Sequence, residues 1–210
     1  MQEKMKLPKL IIIAAVILSA AACCPKKSAE PSAIDVIMSR KSVRSYTDEA
    51  IPAEKVEILL KAAMAAPSAI NIQPWRFVVV TDQAVKEQLA GPRGGMIANA
   101  PLVVVICGEA TFMRKPWGQP DAEPVEMENN FWYEDCSAAA ENLLLAAEAI
   151  GLGAVWTACY PIPERMSAVS GAIGLPENVK PFCVIPVGYP AGDDQPKDKW
   201  KPENIHYDRW

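Results

Sequence analysis

The chain has 210 residues, of which 50% are apolar and 22% charged, and its formal net charge is −4. This length and balance are typical of one globular domain with a sizeable hydrophobic core. They argue against nucleic acid as a partner, because basic residues are not in excess. The single histidine, His206, lies near the C-terminus, which excludes a core Ser-His-Asp or Cys-His catalytic site.

The first residues of the chain have the pattern of an export signal. A short basic segment precedes the apolar run Leu10–Ala22, which ends in small residues before Cys23. The run is shorter than the roughly 20 residues that a membrane-spanning helix needs, so an uncleaved membrane helix is the weaker interpretation. Leu18–Cys23 resembles a bacterial lipoprotein signal with Cys23 acylated, although Leu18 lies further from the cysteine than is usual. Ordinary cleavage after an Ala-x-Ala sequence is the alternative.

This interpretation divides the chain into three parts. Residues 1–24 are the predicted export or lipoprotein signal, residues 25–33 a polar tether, and residues 34–210 the folded domain. We therefore expect an exported protein of the bacterial cell envelope, held on its periplasmic or surface side by a lipid on Cys23.

The folded part begins with a predicted helix over Ala33–Met38, and Pro52 precedes a longer helical pattern that ends near Met64. Between them, Ser39–Tyr46 reads SRKSVRSY, with three cations and several hydroxyls. Such side chains are able to bind a phosphate dianion through charge-assisted hydrogen bonds. A solvated basic turn is the simpler interpretation of this segment taken alone.

The next segment, Ala66–Trp75, reads APSAINIQPW and connects the helix to a predicted strand. Its prolines restrict the backbone, and we expect Pro74 to hold Gln73 in an extended conformation. Ser68, Asn71 and Gln73 offer uncharged donors and acceptors, which suit a planar neutral heterocycle such as a flavin. The alternative is an ordinary connection whose amides satisfy backbone groups.

Apolar and β-branched runs predict four strands, at Trp75–Thr81, Pro101–Cys107, Ala154–Cys159 and Phe182–Val187. Helical patterns predict three further helices, from a cap at Asp82 to Leu89, over Glu134–Ile150 and over Pro163–Val169. Because Glu134–Ile150 is apolar on nearly every side, we expect it to be buried on several sides, which in a domain of this size suggests a subunit interface. A central helix of a monomer core is the alternative. The segment 111–131 lacks a regular pattern, and its aromatic residues either line a substrate mouth or pack locally; they are Trp117 and Phe131, with Trp132 beyond them.

No side chain of this sequence has the setting of a catalytic nucleophile or base. The cysteines that follow the leader form no CxxC or zinc pattern, and we interpret them as structural thiols; they are Cys107, Cys136, Cys159 and Cys183. A dinucleotide fingerprint and a metal-ligand cluster are also absent from the sequence. Catalysis would therefore depend on a bound cofactor, which the protein binds and orients.

Four segments in this order resemble the FMN-dependent nitroreductase family. They are RKSVRSY at Arg40–Tyr46, APSAINIQPW at Ala66–Trp75, GLGAVW at Gly151–Trp156, and PVGYP at Pro186–Pro190 with the lysines after it. The resemblance covers nearly the whole chain after its leader. It implies an α+β fold with a mostly antiparallel sheet of four or five strands flanked by helices, in an intertwined homodimer with two FMN sites at the interface.

The resemblance also assigns roles to residues. Arg40, Lys41 and Ser42 would hold the FMN phosphate with help from Lys197 and Lys199, and Arg44 would lie near the pyrimidine edge of the ring. The ring and ribityl contacts would come from Pro67, Ser68, Asn71 and Gln73 of the other subunit, and from Trp156, Thr157 and Ala158. Many relatives have an acidic residue and a glycine where this chain has Ala158 and Cys159. The tail Asp193–Trp210 would lie on the partner.

The activity that follows is two-electron transfer from a reduced donor, NAD(P)H or another, through FMN to a nitroaromatic, quinone or similar acceptor. A surface lipoprotein that binds flavin for storage or sensing, without nicotinamide turnover, is the alternative. That alternative gains weight from the predicted location, because nicotinamide cofactors are scarce outside the cytoplasm.

Overall fold

An antiparallel sheet of five strands lies at the centre of the structure, a computed structural model that describes residues 31–91 and 94–210. Strands β1 (Trp75–Val80), β2 (Leu102–Glu109) and β7 (Val179–Gly188) are neighbours in that order. Strands β5 (Gly153–Ala154) and β6 (Thr157–Ala158) both pair with the far side of β7. A separate hairpin joins β3 (Thr111–Arg114) to β4 (Val125–Glu128).

Six α-helices are present in the described part of the chain: α1 (Ala33–Ser39), α2 (Ala53–Met64), α3 (Gln83–Ala90), α4 (Gly95–Ala98), α5 (Trp132–Ala149) and α6 (Pro163–Ile173). Short 3-10 turns lie at Ala69–Asn71 and Pro202–Asn204. The expected α+β fold with an antiparallel sheet and flanking helices is confirmed. The predicted signal, its Cys23 and the tether up to residue 30 lie outside the described residues.

The two central strands are buried on both faces, which explains their unbroken apolar sequences. Along β2, Val104 and Ile106 join one hydrophobic cluster with α2 and α5, whereas Val103 and Val105 join a second cluster with α3 and α6. Because both faces are covered, the strand shows no alternation of polar and apolar residues. The sheet therefore forms the middle layer between two sets of helices.

Helix α5 is buried by elements of its own chain. Its residues Ala140 and Leu143 have no exposed surface, and they pack in the cluster that also contains Leu59 of α2 and Ile106 of β2. This burial within the chain agrees with the interpretation of a central core helix, and a subunit interface along α5 stays a prediction.

The ends of two predicted helices have visible causes. Asp82 caps α3, since its Oδ1 accepts a hydrogen bond from the Val85 amide at 3.0 Å. Helix α6 runs on past the predicted end at Val169 to Ile173, and Gly174 terminates it in a left-handed conformation with φ of 65°.

Among the described residues, no helix combines the length and apolar character needed to cross a bilayer.

The segment 111–131 contains the hairpin that its sequence did not predict. Most side chains of β3 and β4 are partly or fully exposed, so little apolar patterning marks them. Trp117 is 86% exposed beside Arg114, and Phe131 is also exposed, whereas Trp132 is buried with its ring 4.8 Å from that of Tyr160. Trp132 thus packs locally, as one of the two interpretations held.

The predicted strand Ala154–Cys159 is interrupted, because Val155 and Trp156 lie between β5 and β6.

The four cysteines of the described residues are free and buried, which agrees with structural thiols; they are Cys107, Cys136, Cys159 and Cys183. Burial raises the pKa of Cys107 to about 12 and that of Cys159 to about 11. The reactive thiolate is therefore suppressed at neutral pH.

We expect these thiols to react very slowly with iodoacetamide at pH 8 in the folded, leaderless protein, and rapidly after unfolding. Mass spectrometry of the alkylated protein measures the difference. Since the folded pKa values lie above the unfolded value near 9, the thiols also lower stability as the pH rises from about 9 through 11. Rapid alkylation of the native protein would contradict this assignment.

Candidate functional site

The basic segment Arg40–Tyr46 is held against the edge of the central sheet. The Val43 amide donates a hydrogen bond to the Ala154 carbonyl oxygen at 3.1 Å, next to a parallel bridge between Ser42 and Ala154. Gly153 permits this approach, because a Cβ at that position would lie 2.6 Å from the Val43 side chain. The backbone of the basic segment is therefore fixed by a glycine of the GLGAVW motif.

Tyr46 anchors the end of the same segment. Its hydroxyl oxygen lies 2.6 Å from the Val43 carbonyl oxygen and 3.1 Å from that of Pro186. Burial raises the pKa of Tyr46, so the hydroxyl remains a protonated donor at any ordinary pH. Gly188 leaves room for the ring, since a Cβ there would lie 2.8 Å from the Tyr46 Cβ. Glycines of two family-like segments, GLGAVW and PVGYP, thus make room for side chains of a third, RKSVRSY.

A cavity of about 250 Å³ lies beside this segment and is strongly basic. Its lining combines the basic motif with residues of the C-terminal tail: Arg40, Lys41, Ser42, Arg44, Asp194, Gln195, Lys197 and Lys199. The structure therefore brings together all the residues that were predicted to bind a phosphate. It also places Arg44, which was predicted to lie near the ring, in the same cavity. Five cations and a single carboxylate line the cavity, which favours an anionic group.

Two of these cations are paired with carboxylates of α5. Arg40 Nε lies 3.2 Å from Glu141 Oε1, and Lys41 Nζ lies 3.1 Å from Glu148 Oε1. Glu141 and Glu148 are seven residues apart and so lie on one face of the helix. Neither glutamate was predicted as a site residue, although both are charged positions in a mostly apolar part of the helix. They orient the cations and lower the net charge of the cavity.

The other three cations of the cavity are available to bind an anion. Arg44 Nη1 donates only to the Ser42 carbonyl oxygen, at 3.2 Å. Within residues 31–91 and 94–210, neither Arg44 nor Lys197 nor Lys199 forms an ion pair with a carboxylate. The two ammonium groups therefore remain for a phosphate dianion, and the Arg44 guanidinium remains for another part of the ligand. The cavity fits the phosphate group of a flavin mononucleotide.

The loop Ala66–Trp75 lies apart from the basic cavity and is closed by its own hydrogen bonds. The Gln73 amide donates to Ser68 Oγ at 3.0 Å, and Gln73 Nε2 donates to Asn71 Oδ1 at 3.0 Å. Three residues have left-handed backbone: Ile70, Asn71 and Gln73, with φ of 45°, 58° and 55°. The prediction of an extended Gln73 is wrong, because these local bonds turn the chain before Pro74.

The third predicted group, Trp156–Ala158, also lies outside the lining of the basic cavity. Trp156 is half-buried with its ring 5.2 Å from that of Phe182, and Thr157 Oγ1 donates to the Val184 carbonyl oxygen at 2.5 Å. Ala158 is exposed at the end of β6. One chain therefore brings the candidate phosphate-binding residues together and presents the candidate ring-binding residues at other places. No group of three or more His, Cys, Asp or Glu side chains in the described residues could hold a metal ion.

The nitroreductase family model matches this chain over residues 37–93 and 89–189. These stretches include the basic segment, the loop Ala66–Trp75 and both glycines that support the cavity. The chain belongs to the nitroreductase family.

Individual relatives agree with this membership. A crystal structure from Bacteroides thetaiotaomicron, provisionally described as an NADH dehydrogenase/NAD(P)H nitroreductase, is 43% identical and superposes with a TM-score of 0.76 over 86% of this chain and 99% of that one. A protein of Methanothermobacter thermautotrophicus with the same provisional name is 36% identical over 88% of this chain and 91% of its own. A provisionally named nitroreductase from Desulfovibrio desulfuricans, solved in complex with FMN, is 28% identical with a TM-score of 0.69, over 86% and 99% of the two chains.

Proposed function

We propose that this nitroreductase-family protein is an FMN-dependent oxidoreductase that oxidises NAD(P)H and reduces nitroaromatic, quinone or similar acceptors. The observation that carries the proposal is the basic cavity, in which the family's RKSxRxY motif and the tail lysines converge. Relatives are named as NAD(P)H nitroreductases and as an NADPH-dependent FMN reductase. Bound FMN supplies the two-electron chemistry that the side chains of this protein lack.

The residues of the basic cavity bind and orient the cofactor. Arg40, Lys41 and Ser42 hold the phosphate together with Lys197 and Lys199, through charge-assisted hydrogen bonds. Arg44 is the one guanidinium in the cavity without a carboxylate partner among the described residues. Near the pyrimidine edge of a bound flavin, its permanent charge would favour the electron-rich, reduced state of the ring.

The ring and ribityl chain are bound by the other two groups. Ser68, Asn71 and Gln73 would contact them, and the hydrogen bonds that Gln73 forms with Ser68 and Asn71 hold these three side chains together. Pro67 stiffens the entry to that loop. Trp156, Thr157 and Ala158 would contact the ring through their backbone, and Ala158 is exposed at the end of β6.

The active form is a homodimer with two cofactor sites at its interface. This arrangement explains why one chain does not place its loop Ala66–Trp75 at its own basic cavity. Strand β1 is an edge of the sheet, and large apolar residues are exposed on α2 and the tail: Ile58, Met64, Trp200, Tyr207 and Trp210. A partner subunit would bury this surface.

We further propose that residues 1–24 export the protein and that a lipid on Cys23 holds it at the bacterial cell envelope through the tether at residues 25–33. The domain at residues 34–210 would then work outside the cytoplasm. Fractionation of cells that produce the full chain, with Cys23→Ser as the comparison, tests this location. Release of the variant but not of the native chain from membranes is the expected result; equal solubility of both would exclude a lipid anchor.

The activity is tested with the leaderless protein. We expect it to purify with a flavin absorbance spectrum and to release FMN on denaturation. In stopped-flow mixing, NADH or NADPH should bleach the flavin, and a nitroaromatic compound or a quinone should restore the oxidised spectrum. A protein without flavin would overturn the proposal. Stable flavin binding without bleaching by either nucleotide would favour storage or sensing instead.

A further inference from the structure

Asp135 is a buried carboxylate in the first turn of α5, and it contacts the loop Ala66–Trp75. Its Oδ1 accepts a hydrogen bond from the Ala69 amide at 2.9 Å, and the residue is only 6% exposed. This contact joins positions 66 residues apart in the chain. This hydrogen bond connects the loop to the buried helix α5.

The loop needs an anchor because its backbone is strained. Left-handed backbone is unfavourable for residues other than glycine, and for a β-branched residue such as Ile70 it is rare. Ile70 directly follows Ala69, so the bond to Asp135 holds the chain at the point where the strained turn begins. Such conformations persist only where the surroundings impose them.

The second oxygen of Asp135 limits what this residue contributes to stability. Within the described part of the chain, Oδ2 is buried without a hydrogen-bond partner. Burial raises the pKa of Asp135, whereas the bond from the Ala69 amide opposes that rise. A carboxylate buried with one oxygen unpaired costs free energy, which offsets much of what its single bond contributes. The N-terminal end of α5 favours the negative charge.

We infer that Asp135 is a positioning residue that holds the loop Ala66–Trp75 in its flavin-binding conformation through the Ala69 amide. The part that concerns flavin rests on the proposed function. The anchor itself does not, because it is a contact between two residues of this chain. A residue that acts in this way changes loop order and binding of the flavin ring more than it changes overall stability.

The first experiment measures the anchor in the cofactor-free protein. Asp135→Ala removes the acceptor, Asp135→Asn keeps an oxygen acceptor without the charge, and Glu134→Ala is the matched control in the same helical turn. Amide hydrogen exchange at Ala69, followed by NMR, should accelerate about tenfold or more in Asp135→Ala and little in the other two. Unchanged exchange in Asp135→Ala would overturn the inference, whether or not the protein binds flavin.

The second experiment measures flavin. Because the loop contacts the ring and ribityl chain, Asp135→Ala should weaken FMN and riboflavin by a similar factor of about ten, and Asp135→Asn should restore most of the affinity. The thermal midpoint of each cofactor-free variant is recorded beside these constants. Equal Kd values for Asp135→Ala and the native protein would overturn the inference, as would a loss that merely follows a fall in thermal stability. A native protein that binds no flavin would instead refute the proposed function and leave the exchange result valid.

Discussion

Replacing Arg40 with alanine is expected to weaken FMN binding by about ten- to a hundredfold. The guanidinium lies in the basic cavity, with its Nε paired to Glu141. A hydrogen bond to a charged group contributes roughly 1.5–3 kcal/mol, which corresponds to this loss of affinity. Quenching of flavin fluorescence on titration of the cofactor-free protein gives the Kd.

Riboflavin is the control ligand, since it lacks the phosphate. The Kd of Arg40→Ala for riboflavin should stay within about threefold of the native value. Lys199→Ala should weaken FMN binding less than Arg40→Ala does, because Lys197 lies in the same cavity. Glu141→Gln is the matched protein control, as it removes the negative charge beside Arg40 and keeps the guanidinium. Equal losses of FMN and riboflavin in Arg40→Ala would show that Arg40 supports the fold or the ring instead of the phosphate.

The second large effect is expected from Gly153→Ala. A Cβ at this position would lie 2.6–2.7 Å from three atoms of Val43, which is itself buried. The basic segment must move away from β5, and overpacking of this kind costs about 1–3 kcal/mol. We therefore expect a lower free energy of unfolding in urea and weaker FMN binding from the same single methyl group.

Gly171→Ala is the matched control for this substitution. Gly171 lies inside α6, and a Cβ there would meet no atom within 4 Å. Alanine in a helix interior is more favourable than glycine by roughly 0.5–1 kcal/mol, so this variant should be slightly more stable and should bind FMN normally. If both variants behaved alike, the close packing of Val43 on Gly153 would not be what holds the basic segment.

Local sequence determined most of the secondary structure of this protein. The apolar runs of β2 and β7 require a strand covered on both faces, and Asp82 caps α3 by a bond that its own side chain makes. The side chains of the basic motif also suggested a phosphate site, whereas the role of the tail lysines came only from the resemblance to the nitroreductase family. Such features depend on a few neighbouring residues, which is why they can be read without a structure.

The tertiary structure decided which distant residues meet. The hairpin of β3 and β4 has mostly exposed side chains and therefore little patterning, and the turn at Gln73 depends on bonds to Ser68 and Asn71 that oppose the preference imposed by Pro74. The pairing of Arg40 with Glu141 joins positions far apart in the chain. Sequence alone showed a polar residue in an apolar helix and a cation in a loop. Only the packing of α5 beside the basic segment brought the two within hydrogen-bonding distance, since long-range contacts arise from the arrangement of whole elements and not from local preference.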